Sequence, residues 1–307
     1  MYDSSGRPWL DHEASDPGPK ALPREPASME LLYGPFQCSV SVLVPCYRQA
    51  KFLREVIASL HAQTFTDWEA IIVAGSSEDL VAGLSLASDR IRVIQHPSTG
   101  ASDARNVAAR AARGRWLLPL DADDKLAPTF LRKVTEAIGP WKFAVAHTDL
   151  SLFGDKCGDW CPAWSRDGML RDNCLQNTSL HTRALWEAVG GWDVAMLGFE
   201  DWAYWVSCSR YALNVARVPE KLFHQRQWAG NMTHVGGQFA SAWKAMIRMR
   251  HPDLYCPDKK DRQAVAAAKG LLPRLREQLT HFPTNESLQT WAGLMDGTVA
   301  VTEPEPK

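Results

Sequence analysis

Residues 116–124 read Trp116-Leu117-Leu118-Pro119-Leu120-Asp121-Ala122-Asp123-Asp124, an apolar segment that ends in three carboxylates. The apolar part has the length and composition of a buried strand. Open α/β folds bind ligands at the carboxyl ends of their strands, so carboxylates at this position predict a ligand site. Asp121 and Asp123 can face one cation, because hard divalent cations prefer oxygen ligands. Taken alone, Asp-x-Asp is more often an acidic surface turn.

The chain before this stretch alternates between short apolar strands and amphipathic helices. Strands are predicted at residues 40–44, 70–73 and 91–94, with a further strand at 143–147, and helices at 50–63, 79–88, 102–113 and 128–138. Ser102 is expected to cap the helix at 102–113, and Gly114 to end it. This alternation predicts an α/β fold whose sheet is mostly parallel and flanked by helices on both faces.

The pattern becomes less regular after residue 148. Strands are predicted at 178–182 and 213–218, and helices at 183–189, 199–210, 237–250 and 261–280. Glu200 and Asp201 fall in the first turn of the helix at 199–210, where the helix dipole favours acidic side chains.

The overall composition is that of an ordinary globular protein. Lys and Arg number 34 and Asp and Glu 35, so the net charge of −1 gives no sign of a nucleic-acid partner. The sequence has no run of 18 or more apolar residues, so no transmembrane segment is predicted. The polar, proline-containing start lacks the apolar stretch of a signal peptide, and the seven scattered cysteines are interpreted as free thiols. A cytoplasmic protein is therefore expected.

The turn after the first strand carries no glycine-rich phosphate loop. It reads Pro45-Cys46-Tyr47-Arg48, which lacks the Gly-x-Gly-x-x-Gly pattern of dinucleotide-binding folds, and the sequence has no Walker loop. A phosphorylated ligand would need other partners, and a metal held by the aspartates is the leading candidate.

Five motifs occur in order along residues 38–234. They are the first strand with Pro45-Cys46-Tyr47, Ser-Leu-His-Ala-Gln-Thr at 59–64, Ala104-Arg105-Asn106, residues 114–124, and Gly190-Gly191-Trp192-Asp193 followed by Glu200-Asp201. In this order they resemble the inverting family 2 glycosyltransferases with the GT-A fold. The order, rather than any single motif, carries the resemblance.

The resemblance implies transfer of a sugar from a nucleoside-diphosphate donor, with a UDP-type donor favoured. The acceptor, which the sequence does not name, would be a saccharide, a lipid-linked sugar, a peptide or a natural product. By resemblance, Asp121 lies near the donor ribose and the metal, and Asp123 binds Mn²⁺ or Mg²⁺. His224 would be a further metal ligand, although a lone histidine beside aromatic residues is also typical of core packing. The predicted donor-side residues are Pro45, Tyr47, Arg105, Asp121 and Arg226.

The pair Glu200-Asp201 would contain the catalytic base. An inverting transfer needs one carboxylate to take the acceptor's proton while the acceptor attacks from the face opposite the leaving group. The resemblance assigns this role to Asp201 and lets Glu200 contact the acceptor or tune its neighbour. The alternative is that both are ordinary acids at a helix N-terminus.

The sequence departs from the family after the second strand, where two aspartates are usual and Ala74 and Gly75 occur here. Recognition of the nucleoside must therefore differ, for instance through Ser76 and Ser77 or through a nucleotide other than UDP. The departure leaves open a non-catalytic nucleotide- or sugar-binding protein, against which the retained carboxylates argue. A nucleotidyltransferase would need a Gly- and Lys-rich loop near the first strand, which is missing.

The predicted organisation is one GT-A domain with extensions at both ends. It comprises an N-terminal arm at 1–36, a nucleotide-sugar-binding half at 37–148, an acceptor-side catalytic half at 149–236 and a helical extension at 237–307. The sequence leaves open whether the chain forms a homodimer or contacts a membrane surface peripherally.

Overall fold

The structure is a computed structural model that describes residues 36–97, 100–196, 198–228 and 240–255. Predictions for residues 1–35, and the helix expected at 261–280, lie outside the described residues. The described residues up to 228 belong to one compact unit, and residues 240–255 belong to another. The second unit contributes two described helices, Ala240–Arg250 and Pro252–Tyr255. The predicted division at residue 148 stays a prediction.

The first unit is built on one mixed sheet. Its strands are β1 Cys38–Cys46, β2 Trp68–Ala74, β3 Ile91–Gln95, β4 Gly114–Pro119, β5 Lys125–Leu126, β6 Ala144–Gly154, β7 Gly158–Trp160, β8 Leu180–Thr182 and β9 Asn214–Gln227. Its described helices are α1 Ala50–His61, α2 Ser77–Leu84, α3 Ala101–Ala111, α4 Phe130–Ala137, α5 Arg166–Arg171, α6 Arg183–Val189 and α7 Glu200–Cys208.

The strand order is β3-β2-β1-β4-β8-β6-β9-β5, with β7 paired to β6. Strands β1 to β4 are mutually parallel, so their carboxyl ends meet at one edge. The short strand β8 is antiparallel to both β4 and β6 and joins the two parts of the sheet. The α/β fold with a Rossmann-like parallel half is therefore confirmed.

The core follows the predicted hydrophobic pattern. Strand β2 is buried along its whole length, as expected for a parallel strand covered on both faces. Helix α1 buries Leu53, Val56, Ile57 and Leu60, which are the positions that lie on one side of a helix.

The helix predicted at 102–113 was wrong at both ends. Helix α3 begins after Gly100, and Ser102 is buried inside it with a hydroxyl that has no hydrogen-bond partner. Gly114 opens β4 rather than ending α3. A Cβ at Gly114 would lie 2.6 Å from the backbone nitrogen of Ser41, so glycine is required for the approach of β1.

Strand β9 is longer than the strand predicted at 213–218, because it pairs with β6 over nearly the whole length of that strand. His224 therefore lies within a strand. Of the seven cysteines, the six in the described residues are free thiols. None of the described helices combines the length and apolar character needed to cross a bilayer.

Asn106 fastens the loop that leads to Glu200. Its Oδ1 accepts hydrogen bonds from the Trp192 backbone nitrogen at 2.9 Å and from Trp186 Nε1 at 3.2 Å, and its Nδ2 donates to the Trp192 carbonyl at 2.7 Å. Gly191, with φ +82°, lies so close that a Cβ there would overlap Asn106 Oδ1. The Ala-Arg-Asn and Gly-Gly-Trp motifs thus contact each other through the hydrogen bonds between Asn106 and Trp192.

The paired glycines give a direct test of this contact. Gly190, with φ +80°, has no atom within 4 Å of the position that an added methyl group would occupy, so Gly190→Ala should cost only the left-handed strain, roughly 1 kcal/mol. Gly191→Ala adds displacement of Asn106 and should cost at least about twice as much. Urea unfolding of the two variants measures the difference; equal losses would contradict the contact.

Candidate functional site

The site lies at the sheet edge where β1 to β4 end. Asp121 follows β4, and the turns after β1, β2 and β3 contribute Tyr47, Ser76 and His96 at the same edge. This is the edge at which open α/β sheets bind ligands. The structure thus places the Asp121 turn where its sequence predicts.

Arg105 joins two of the predicted site carboxylates. The side chain is 2% exposed; its Nη2 donates to Asp121 Oδ1 at 2.7 Å, and its Nη1 donates to Glu200 Oε1 at 2.9 Å. Although burial opposes the charge, Asp121 and Glu200 raise the pKa of Arg105. An acid predicted on the donor side and an acid of the predicted base pair are therefore held together by one guanidinium.

Asp123 and Asp124 are buried just beyond β4. Asp123 Oδ2 accepts a hydrogen bond from Trp228 Nε1 at 2.7 Å, and Asp124 Oδ1 accepts one from the Arg226 backbone nitrogen at 2.8 Å. Burial, followed by the charge of Asp121, raises the pKa of Asp123; burial and Asp123 do the same for the pKa of Asp124. The turn thus concentrates carboxylates at a place where burial and their mutual repulsion oppose ionisation.

Arg226 holds this turn from β9. Its Nε donates to the Asp123 carbonyl at 2.8 Å, and its Nη2 donates to Glu55 Oε2 at 2.9 Å. The guanidinium also lies 4.5 Å from the ring centres of Phe52 and Phe153. Arg226 therefore already has several protein partners, and its predicted contact with the donor stays a prediction.

His224 does not join the aspartates in a preformed metal site. Its ring shares a hydrogen bond with Ser151 Oγ at 2.6 Å, and burial, with the nearby charge of Lys125, lowers its pKa. Within the described residues no group of three or more His, Cys, Asp and Glu side chains is arranged to hold a metal. The metal role predicted for His224 stays a prediction.

A cavity of about 310 Å³ lies at the carboxyl ends of β2 and β3. It is lined by residues 74–77 and 95–97. A Cβ at Gly75 would be 2.9 Å from Tyr47 Cδ2, so this position has little room for a side chain. His96, which was not among the residues predicted from the sequence, pairs with Asp103 at 3.1 Å. Pro45 lies within β1 opposite Val73, and its predicted contact with the donor stays a prediction.

Asp79 is an anchor for the turn that carries Tyr47. Its carboxylate is fully buried and accepts hydrogen bonds from the backbone nitrogens of Arg48 at 2.7 Å and Gln49 at 3.0 Å. Although burial opposes ionisation, these bonds and one from Ser76 lower the pKa of Asp79. This acid therefore shapes the turn and does not replace the aspartates missing at 74 and 75.

Asp201 occupies the first turn of α7, beside Glu200. Its Oδ2 accepts a hydrogen bond from Asn173 Nδ2 at 2.9 Å. Burial, followed by the charge of Glu200, raises the pKa of Asp201 to about 7, which is suitable for a general base at neutral pH. A second amide, Asn177 Nδ2, donates to Asp121 Oδ1 at 3.2 Å. Neither asparagine was among the site residues predicted from the sequence.

Comparison with known proteins points to one family. Residues 41–184 match the family model described as Glycosyl transferase family 2. The O-antigen biosynthesis protein RfbC of Myxococcus xanthus is 27% identical over 221 residues, which cover 68% of this chain and 17% of RfbC. The chain spans only 17% to 34% of the lengths of the first curated relatives that it matches.

Two solved structures share the fold. S. aureus TarS 1–349 in complex with UDP-GlcNAc aligns with a TM-score of 0.55 and 15% identity, covering 85% of this chain and 91% of that chain. The mannosyltransferase PcManGT from Pyrobaculum calidifontis, in complex with GDP-Man and Mn²⁺, aligns with a TM-score of 0.52 and 15% identity, covering 94% and 79%. At this identity the alignments establish the fold alone, which is GT-A.

Proposed function

From the chain's membership of the family 2 glycosyltransferases, we propose that it transfers a sugar from a nucleoside-diphosphate donor to an acceptor hydroxyl, with inversion at the anomeric carbon. The observation that carries the proposal is the Arg105 bridge. It holds the strand-end carboxylate Asp121 beside the Glu200-Asp201 pair, so that donor-side and base-side groups meet at one sheet edge.

The cavity at residues 74–77 and 95–97 is the proposed nucleoside site. It lies at the same sheet edge as Asp121, and His96 in its lining pairs with Asp103. The two structural neighbours were solved with UDP-GlcNAc and with GDP-Man, which supports a nucleotide-sugar donor; we favour a UDP-type donor. The name of RfbC supports a saccharide acceptor.

Asp121 and Asp123 are the residues that would hold Mn²⁺ or Mg²⁺. The donor set fits a hard cation: Asp121 is one-third exposed, and Asp123 is separated from it by one residue. The remaining ligands would come from the diphosphate and water, since the protein supplies no third clustered ligand within the described residues. Such a cation stabilises negative charge on a departing diphosphate.

The role of catalytic base in the transfer is assigned to Asp201. The acceptor oxygen bonds to the anomeric carbon while the bond to the diphosphate oxygen breaks with its electron pair, and Asp201 takes the acceptor's proton. Glu200 is ion-paired with Arg105, whereas the hydrogen-bond donors to the Asp201 carboxylate are neutral, namely the Asn173 amide and the Trp202 backbone N–H. Asp201 is therefore the better base of the pair.

Asp123→Ala should remove the metal dependence of donor binding. We expect the native protein to bind its donor at least about tenfold more tightly with Mn²⁺ than without it, and the variant to bind equally in both conditions. Calorimetric titration with UDP-GlcNAc, GDP-Man and dTDP- and CMP-type donors measures this. Asp89→Asn, at an exposed turn, is the matched control. Unchanged Mn²⁺ dependence in Asp123→Ala would remove the metal assignment, and absence of binding to every donor would count against the proposed function.

A further inference from the structure

One loop donates hydrogen bonds to both Asp121 and Asp201. It connects α5 to β8, and the register of β8 against β4 pairs Thr182 with Trp116 and His181 with Leu117. In this antiparallel register each step back along the loop matches one step forward past β4. Continuing it places Asn177 opposite Asp121, where the observed hydrogen bond of 3.2 Å occurs.

The same loop fixes the orientation of Asn173. Its Oδ1 accepts a hydrogen bond from the Leu175 backbone nitrogen at 3.2 Å, so its amide group must present Nδ2 to Asp201. Gln176 attaches the loop to strand β6, since its Nε2 donates to the Thr148 carbonyl at 2.8 Å. The donor facing Asp201 is thus set by backbone contacts.

We propose that Asn173 is a positioning residue for the base: its amide holds Oδ2 of Asp201 and so orients the carboxylate that takes the acceptor's proton. The inference rests on the proposed function. During transfer the proton moves from the acceptor hydroxyl to the Asp201 carboxylate as the new C–O bond forms and the bond to the diphosphate breaks, and it later passes to solvent. An N–H donor bonds more strongly to a carboxylate than to a neutral acid, so Asn173 also favours the ionised form.

Besides the hydrogen bonds from Asn173 and from the Trp202 backbone, three charged groups act on Asp201. Glu200, on the same helix, and Asp121, after β4, disfavour ionisation, whereas Arg105, on α3, favours it. Replacing Asn173 leaves all three in place. The pH dependence of an Asn173 variant therefore reports the amide–carboxylate bond.

Thermal unfolding of the full chain without any donor provides the first test. At about pH 5 the unfolding temperature of Asn173→Ala should lie slightly below that of the native protein. The difference in unfolding temperature should grow as the pH rises through about 7, because the hydrogen bond from Asn173 is stronger to the ionised Asp201 carboxylate than to the neutral acid. In the Asp201→Asn background the same substitution should give a deficit that does not vary with pH. Asn214→Ala, at an exposed strand end, is the control.

Kinetics provides the second test. With UDP-GlcNAc and Mn²⁺, or whichever donor the titrations identify, the midpoint of the pH–rate curve should rise by about one pH unit in Asn173→Ala, with the donor KM unchanged. A pH-independent unfolding deficit, or an unchanged kinetic midpoint, would overturn the role of Asn173; Asn173→Ser serves if the alanine variant does not fold. If the native protein were inactive with every donor, this would count against the proposed function. The unfolding test would still show whether Asn173 is hydrogen-bonded to the Asp201 carboxylate.

Discussion

Asp201→Asn should lower the rate of sugar transfer by about 10²- to 10⁴-fold while leaving donor affinity nearly unchanged. The substitution keeps the shape of the side chain and an oxygen that can accept the hydrogen bond from Asn173. It removes the group that takes the acceptor's proton. Because Asp201 does not contact Arg105, the bridge between Asp121 and Glu200 should remain.

The measurement is single-turnover transfer together with donor titration on the same preparation. Asp167→Asn is the control, since Asp167 is an exposed acid in the first turn of α5 and shares only the helix-dipole environment. Normal turnover in Asp201→Asn would remove Asp201 from the base role. A matching loss in Asp167→Asn would show that the assay responds to helix-terminal charge alone.

The transfer rate of the native enzyme should increase with pH, because the pKa of the Asp201 carboxyl group is raised. Burial and Glu200 place the pKa of Asp201 at about 7, and only the ionised form can take a proton. The rate should therefore rise with pH through about 7 and level off above it. Asp201→Asn should lose this inflection, and an inflection retained in that variant would assign it to another group.

Sequence patterns predicted the parts of the fold that depend on local periodicity. The strands around residues 40–44 and 70–73, the apolar face of α1 and the position of Asp121 after a buried strand were confirmed, because each depends on alternation or helical spacing within a few residues. The N-cap of helix α3 was predicted two residues late, at Ser102 instead of Gly100, because Ser102 resembles a cap, whereas tertiary packing buries it.

The connections between distant segments could not be predicted in this way. Asn177 meets Asp121 only because β8 inserts antiparallel to β4, and no local pattern encodes that register. The pairing of Arg105 with Glu200, 95 positions away, likewise depends on the approach of α7 to α3. The resemblance predicted Arg105 as a donor-side residue; the structure gives its guanidinium two carboxylate partners.

Replacement of Arg105 should have the largest effect on stability. Arg105→Met removes the cation that pairs two carboxylates at a site where the arginine itself is 2% exposed. Breaking a buried charge pair from one side typically costs about 3–5 kcal/mol, because the partner charges remain without compensation. Arg105→Lys should lose less, since the charge stays, but a lysine cannot present the forked donors that reach both partners.

Urea unfolding at neutral pH measures these losses, and Arg132→Ala is the control. Arg132 forms an exposed i,i+4 pair with Glu136, so its removal should cost no more than about 1 kcal/mol. Adding Glu200→Gln to Arg105→Met should restore part of the lost stability, because it removes one of the uncompensated charges. If Arg105→Met were as stable as the native protein, the bridge would not be what holds Asp121 beside the base pair, and the observation that carries the proposed function would need another physical basis.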